Sequence, residues 1–150
     1  MIKLKTDAEI AMMKASGEVA SRAMLAVAEK IRPGVSTAEL DKVAYHIITR
    51  NGAVPSFKGY RGFPGSICAS VNEEVVHGIP GSRRLEEGDI ISIDMGAVLN
   101  GFHSDMARTF AVGAVDSETQ RLMDVTKSSF FEGLKGFTED NRLMEISRRI

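Results

Sequence analysis

Cysteine is nearly missing from this chain: Cys68 is the only one in 150 residues. One thiol excludes an internal disulfide and fits a reducing compartment, so the expected location is cytoplasmic. An excess of charge is missing too. Nineteen Lys and Arg against 20 Asp and Glu leave a net charge of -1, which predicts neither nucleic-acid binding nor attraction to an anionic membrane. No apolar run is long enough to span a bilayer, and Lys3, Lys5, Asp7 and Glu9 are not followed by the apolar stretch of a signal peptide. What is present is 43% hydrophobic and 26% charged residues, the balance of a folded globular protein. The length suits a single domain, residues 1–150, able to bury about 68–70% of its unfolded surface.

Two capping boxes organise the first third. Thr6-Asp7-Ala8-Glu9 starts a helix at Asp7, with Ile10, Met13, Ala20, Met24, Val27 and Ile31 as its apolar stripe and Pro33-Gly34 as its end. Ser36-Thr37-Ala38-Glu39 opens a second helix through Leu40, Val43, Ala44 and Ile47, stopping at Asn51-Gly52. Short apolar runs broken by Gly and Pro follow. Ser66–Val71 and Glu74–Val76 read as strands, and Gly78-Ile79-Pro80-Gly81 as a turn. The glycines of FKGYRGFPG have neither P-loop nor dinucleotide spacing, which excludes a phosphate cradle. Further on, Asp116 or Ser117 caps a third helix carrying Leu122, Val125 and Leu134 and ending at Gly136. A fourth helix opens at Thr138 to Asp140 and holds Leu143, Ile146 and Ile150. The order of long capped helix, Gly-containing break and shorter capped helix thus occurs twice, which suggests an internal duplication whose second copy has helices but no strands.

Between these pairs lies IISIDMGAVLNGFHSDMARTFAV, residues 90–112, in which Asn100-Gly101 marks a two-residue hairpin turn. With that turn, Leu99 faces Phe102, Val98 faces His103, Gly96 faces Asp105 and Asp94 faces Ala107. Facing residues share a face of the sheet. Ser92, Asp94, Gly96, Val98, His103, Asp105, Ala107 and Thr109 then form a polar floor, with Ile93, Met95, Ala97, Leu99, Phe102, Ser104, Met106 and Arg108 on the core side. Asp94 and Asp105 become diagonal neighbours about 7–8 Å apart at the backbone. Two carboxylates so placed either share a proton, hold a cation, or are simply solvated on an exposed face.

SICASVNEEVVHGIP followed by GDIISIDMGAVLNGFHSDMARTF resembles the type I methionine aminopeptidases, and the resemblance covers essentially the whole chain. It implies an α+β pita-bread fold, a duplicated unit holding two divalent metal ions between two aspartates, one histidine and two glutamates. The aspartates match Asp94 and Asp105, the pair that the hairpin register had already brought together. His77 in VVHGIP matches the family histidine that touches the substrate backbone, where an imidazole N–H would stabilise charge developing on the scissile carbonyl. Phe57, Tyr60, Phe63 and Cys68 match the pocket for the terminal methionine side chain, which suits an unbranched thioether. Phe57 stands where some relatives have cysteine. His46, within an amphipathic helix, reads as structural; His103 matches none of the ligands and would at most support one.

The implied reaction is metal-assisted hydrolysis, in which bound ions lower the pKa of a water toward about 7 and one ion holds the free α-amine. Carboxylate-rich ligation suits Co, Mn, Fe or Zn without choosing among them. The implied partner is a peptide or nascent protein beginning with Met, with proximity to the ribosome from the family role and no nucleic acid or membrane. The family's other three ligands match no residue up to Ile150. If 150 residues are the complete chain, the expectation is a first ααβ repeat and the two helices of the second, binding metal weakly, hydrolysing nothing measurable and leaving a sheet edge unpaired. Two further classes share the fold: proline-specific aminopeptidases or dipeptidases, which usually carry an extra N-terminal domain, and non-catalytic binding modules that have lost the ligands.

Overall fold

A computed structural model describes residues 3–150. They form two compact units, one up to Ala114 and one from Val115 to Ile150. The first contains helices α1 (Asp7–Ala28) and α2 (Thr37–Arg50), strands β1 (Val54–Pro55), β2 (Ile67–Val71), β3 (Ile90–Leu99) and β4 (Phe102–Ala111), and a 3-10 turn at Tyr60–Gly62. The second contains α3 (Ser117–Lys135) and α4 (Met144–Arg149). This is the expected ααβ order followed by a second helix pair.

Both capping boxes form. The Thr6 hydroxyl accepts from the Glu9 N–H at 3.3 Å while Glu9 accepts from the Thr6 N–H at 2.8 Å, and Ser36 and Glu39 repeat the exchange at 3.3 and 2.8 Å. α2 buries Leu40, Ala44 and Ile48 and is followed by Gly52 at φ 74°, a conformation that favours glycine. α1 differs from expectation in its buried face. Ser16, Val19, Ala20, Ala23, Met24 and Val27 are inside, whereas Ile10 and Met13 are each 40% exposed and the helix ends at Ala28, ahead of Pro33. A polar contact decides the rotation: the Ser16 hydroxyl donates to the Ala97 carbonyl at 2.9 Å, and the Ser104 hydroxyl donates to the Ser16 carbonyl at 3.0 Å.

The sheet is antiparallel and built on β3, with β4 along one edge and β1 and β2 in succession along the other. Asn100 and Gly101 take φ 51° and 82°, as the hairpin turn requires. The β3–β4 register is the one read from the sequence, including Asp94 opposite Ala107 and Gly96 opposite Asp105. Ile91, Ile93, Met95 and Ala97 are fully buried against α1 and α2, with Met106 and Phe110 packed at the margin. On β2, Asp41 of α2 accepts from the Ser66 and Ile67 N–H groups at 2.6 and 3.1 Å.

Two expected elements are corrected. Glu74–Val76 is no strand: Asn72 turns at φ 56°, the Glu74 carboxylate accepts from the Val71 N–H at 2.8 Å, and Val75 and Val76 face solvent. The chain doubles back across β2 through a single backbone bond, Ala69 N–H to the Gly78 carbonyl at 2.9 Å, so those valines find no strand to pair with. The fourth helix begins at Met144, not between Thr138 and Asp140; residues 138–143 form turns, with the Asn141 amide donating to the Gly136 carbonyl. In α3, Asp116 caps the first turn by accepting from the Glu118 and Thr119 N–H groups at 2.8 and 2.9 Å. Its expected apolar side, Leu122, Val125 and Leu134, is exposed.

Candidate metal centre

The site is a face of the sheet. Cross-strand partners share a face, so the register lays out side chains in rows. Ser70, Ser92 and Thr109 make one row, with Ser92 and Thr109 hydroxyls 2.8 Å apart; Cys68, Asp94 and Ala107 make the next. Asp105 and Gly96 occupy the third, and Val98 and His103 the fourth. Sequence alone left Ser70, Cys68 and Ser56 out of this floor. The Ser56 N–H donates to the Gly96 carbonyl at 3.0 Å, continuing the β1–β3 ladder, so Ser56 joins the row of Gly96 and Asp105.

Asp94 is half-buried and Asp105 exposed. The Asp94 carboxyl is raised from its ordinary 3.8 to about 6, chiefly by burial, then by the charge of Asp105 and by a hydrogen bond that only the protonated form can give Asp105; the charge of His77 opposes the rise. The buried Oδ1 of Asp94 has no hydrogen-bond donor. A desolvated carboxylate oxygen beside a second carboxylate is a stable arrangement only with a proton or a cation between them. Both residues therefore fit a hard or borderline divalent ion as donors, and they fit it incompletely: among the described residues no third His, Cys, Asp or Glu joins them. Cys68 does not serve as a thiolate here. Burial, then the charges of Asp94 and Asp105, push its thiol up to about 11, leaving a neutral sulfur directly across from Asp94.

His77 is exposed and held at φ 61°, a strained position for a non-glycine residue. Its neighbour supplies the reason. Gly78 lies so close to β2 that a Cβ there would stand 2.4 Å from the Ala69 carbonyl oxygen, and its N–H donates to the Ser70 hydroxyl at 3.0 Å. His77 is thus clamped beside β2, near enough to Asp94 for its charge to be felt there. Phe57, Tyr60 and Phe63 lie on one loop, closed by the Gly59 N–H to the Phe63 carbonyl at 2.8 Å and the Phe63 N–H to the Tyr60 carbonyl at 3.0 Å. Phe57 and Phe63 are half-buried and Tyr60 is 65% exposed. The structure brings Cys68 to the floor under Asp94 and the three rings to the loop that leaves the floor at Ser56; these rings do not stack on one another. His46 lies on α2, outside this face.

Known proteins share this sequence and fold. The chain is 51% identical over 150 residues to a methionine aminopeptidase of Clostridium perfringens, covering all of this chain and 60% of that protein. Among solved structures, a methionine aminopeptidase from Thermotoga maritima superposes with a TM-score of 0.97 at 37% identity, over the whole of this chain and 61% of the other. A prolidase from Pyrococcus furiosus superposes at 0.77 with 26% identity, over 87% of this chain and 37% of its own. The fold is accordingly the pita-bread fold, of which the chain spans about three-fifths of the length seen in the methionine aminopeptidases. The sequence model describing metallopeptidase family M24 matches residues 11–150, and the chain belongs to that family.

Proposed function

We propose that this chain supplies part of a single catalytic domain of a metal-dependent methionine aminopeptidase, a cytoplasmic hydrolase that removes Met from the N-terminus of peptides and nascent proteins. The observation that carries this reading is the pair Asp94 and Asp105 on one face of the β3–β4 hairpin, with the Asp94 Oδ1 buried and without a donor. These two carboxylates would hold two divalent ions, Co, Mn, Fe or Zn, together with ligands not among the residues described here. When bound, the ions supply an activated water and a positive anchor for the substrate amine.

The chain's own residues do the rest. His77, fixed by the clamp at Gly78, directs an imidazole N–H toward the scissile carbonyl, where hydrogen bonding strengthens as negative charge develops. Phe57, Tyr60, Phe63 and the neutral sulfur of Cys68 receive the methionine side chain; an unbranched thioether gains from aromatic edges and makes little use of polar partners. The substrate's N-terminal residue thus lies between the carboxylate floor and the aromatic loop. Proximity to the ribosome follows from nascent-chain substrates.

The test is turnover by the product of the complete open reading frame. Loaded with Mn or Co, it releases Met from a Met-Ala peptide, chelator stops the release, and Asp94→Asn lowers it by several orders of magnitude. Cleavage of Xaa-Pro peptides in preference to Met-Ala would assign the chain to a proline-specific hydrolase. No bound metal and no turnover of either peptide would favour a binding module, and metal bound equally tightly by Asp94→Asn would place it away from this site. The 150-residue polypeptide alone turns over neither; chelator-sensitive release by it would overturn the incompleteness of its donor set.

A further inference from the structure

The aromatic loop is tethered to the hairpin at Ser56, by one backbone bond and one side-chain contact. His103 Nδ1 and the Ser56 hydroxyl are 3.3 Å apart, joining residues 47 positions apart in sequence. The contact exists because of a vacancy in the floor. Ser56, Gly96 and Asp105 form one row across three strands, and Gly96 contributes no side chain to it. A Cβ at position 96 would stand 2.4 Å from the Ser104 carbonyl oxygen, 3.0 Å from the Ser56 hydroxyl oxygen and 3.1 Å from the Ser56 Cβ, so the β4 backbone keeps position 96 a glycine and the Ser56 side chain packs into the space that this leaves. From there it reaches diagonally to His103, which projects from the same face two residues before Asp105. The next residue in the chain is Phe57, the first of the three rings.

We propose that Ser56 and His103 form a clasp through the Gly96 niche, and that this clasp sets the position of loop 57–63 above the Asp105 end of the floor. Both are positioning residues; neither touches the reacting atoms. The argument rests on the methionine aminopeptidase reading for what the loop contacts, and on the structure alone for the clasp. Within residues 57–63 the backbone is held by its own hydrogen bonds, with Gly59, Arg61 and Gly62 all at positive φ, so the loop behaves as a preformed unit. Such a unit is placed by its ends and by the Lys58 ammonium, which lies 4.5 Å over the Tyr45 ring of α2. Its first end has the Ser56 backbone bond to Gly96 and the clasp; its far end runs into Ser66, whose N–H is held by Asp41. Loss of the Ser56 hydroxyl or of the imidazole leaves the backbone bond and frees the loop to lift, widening the pocket without touching Asp94 or His77.

The loop carries its own reporters, since Lys58 and Arg61 are exposed trypsin sites within it. In timed digestion of the 150-residue chain, read by mass spectrometry, Ser56→Ala and His103→Ala each raise cleavage after Lys58 and Arg61 at least threefold. Cleavage after Arg50 and Arg108 stays unchanged. Ser56→Thr, which keeps the hydroxyl, and His103→Asn, whose amide replaces Nδ1, restore the slow rate. Equal rates in all variants, or acceleration at every site together, would overturn the clasp. In the metal-loaded product of the complete open reading frame, Ser56→Ala raises KM for Met-Ala peptides at least threefold with kcat within twofold, and Ser56→Thr reverses it. Selective loop cleavage with unchanged KM would overturn the positioning role. An unmutated protein without turnover would count against the proposed function, and the digestion would still decide the clasp.

Discussion

At Asp94 the electrostatics make a signed prediction about stability. Its carboxyl sits near pKa 6 in the folded chain against 3.8 ordinarily, so in the absence of metal the folded state holds the proton more tightly than the unfolded state. Stability from this group is complete below about 3.8 and is lost as pH rises through about 6. The rise corresponds to about 3 kcal/mol at face value, and partial exposure to solvent reduces it to about 1–2 kcal/mol. Asp94→Asn removes the penalty. With chelator present, the variant should match the parent near pH 4 and be more stable by about 1–2 kcal/mol at pH 7.5 in urea unfolding. A difference between the two proteins that stays flat with pH would show that the carboxyl titrates normally. The pairing of Asp94 with Asp105 was legible in the sequence because Asn100-Gly101 fixes the register. The burial of Oδ1 was not, since it depends on what covers the sheet rather than on the strand carrying the aspartate.

Among the elements of the first unit, those whose signals are local were legible and those decided by distant partners were not; the start of α4 at Met144 was missed despite a local cap signal at Thr138. Each capping box is a four-residue exchange of hydrogen bonds, and both formed where Thr6 and Ser36 stand. The rotation of α1 was hidden because Ser16, polar and buried, is held by Ala97 and Ser104 more than 80 residues away. Glu74–Val76 had the composition of a strand and no edge to join. The Gly78 contact with β2 governs that segment. Gly78→Ala forces a Cβ to within 2.4 Å of the Ala69 carbonyl oxygen and 2.9 Å of the Ser70 Cα, both backbone atoms that cannot swing aside. The expected cost is about 1–3 kcal/mol, with loss of protection from hydrogen exchange at the Ala69 N–H. A fully stable variant with that amide still protected would mean that the turn bearing His77 is held by something other than this approach.

On the scale of the whole chain the question is what two carboxylates can hold. Catalytic zinc sites use three protein ligands and structural ones four, and here the second aspartate is exposed and no third donor joins the pair among the described residues. Weak binding follows, and so does a distinctive coupling to stability. A cation between Asp94 and Asp105 cancels the repulsion that raises the Asp94 carboxyl, so metal should recover the stability that deprotonation costs the parent above pH 6. Free Mn at a concentration equal to its own dissociation constant contributes only about 0.4 kcal/mol, and each further tenfold adds up to about 1.4 kcal/mol. Titrating Mn into the 150-residue chain at pH 7.5 should therefore leave the unfolding midpoint unmoved at micromolar metal and raise it only as free Mn approaches the dissociation constant of a weak site. Asp94→Asn should start higher and respond little, so that the two proteins cross as metal is added. A parallel rise in both would place the bound metal away from this face. A midpoint that already climbs at micromolar metal in the parent alone would instead mean that the two aspartates recruit further donors.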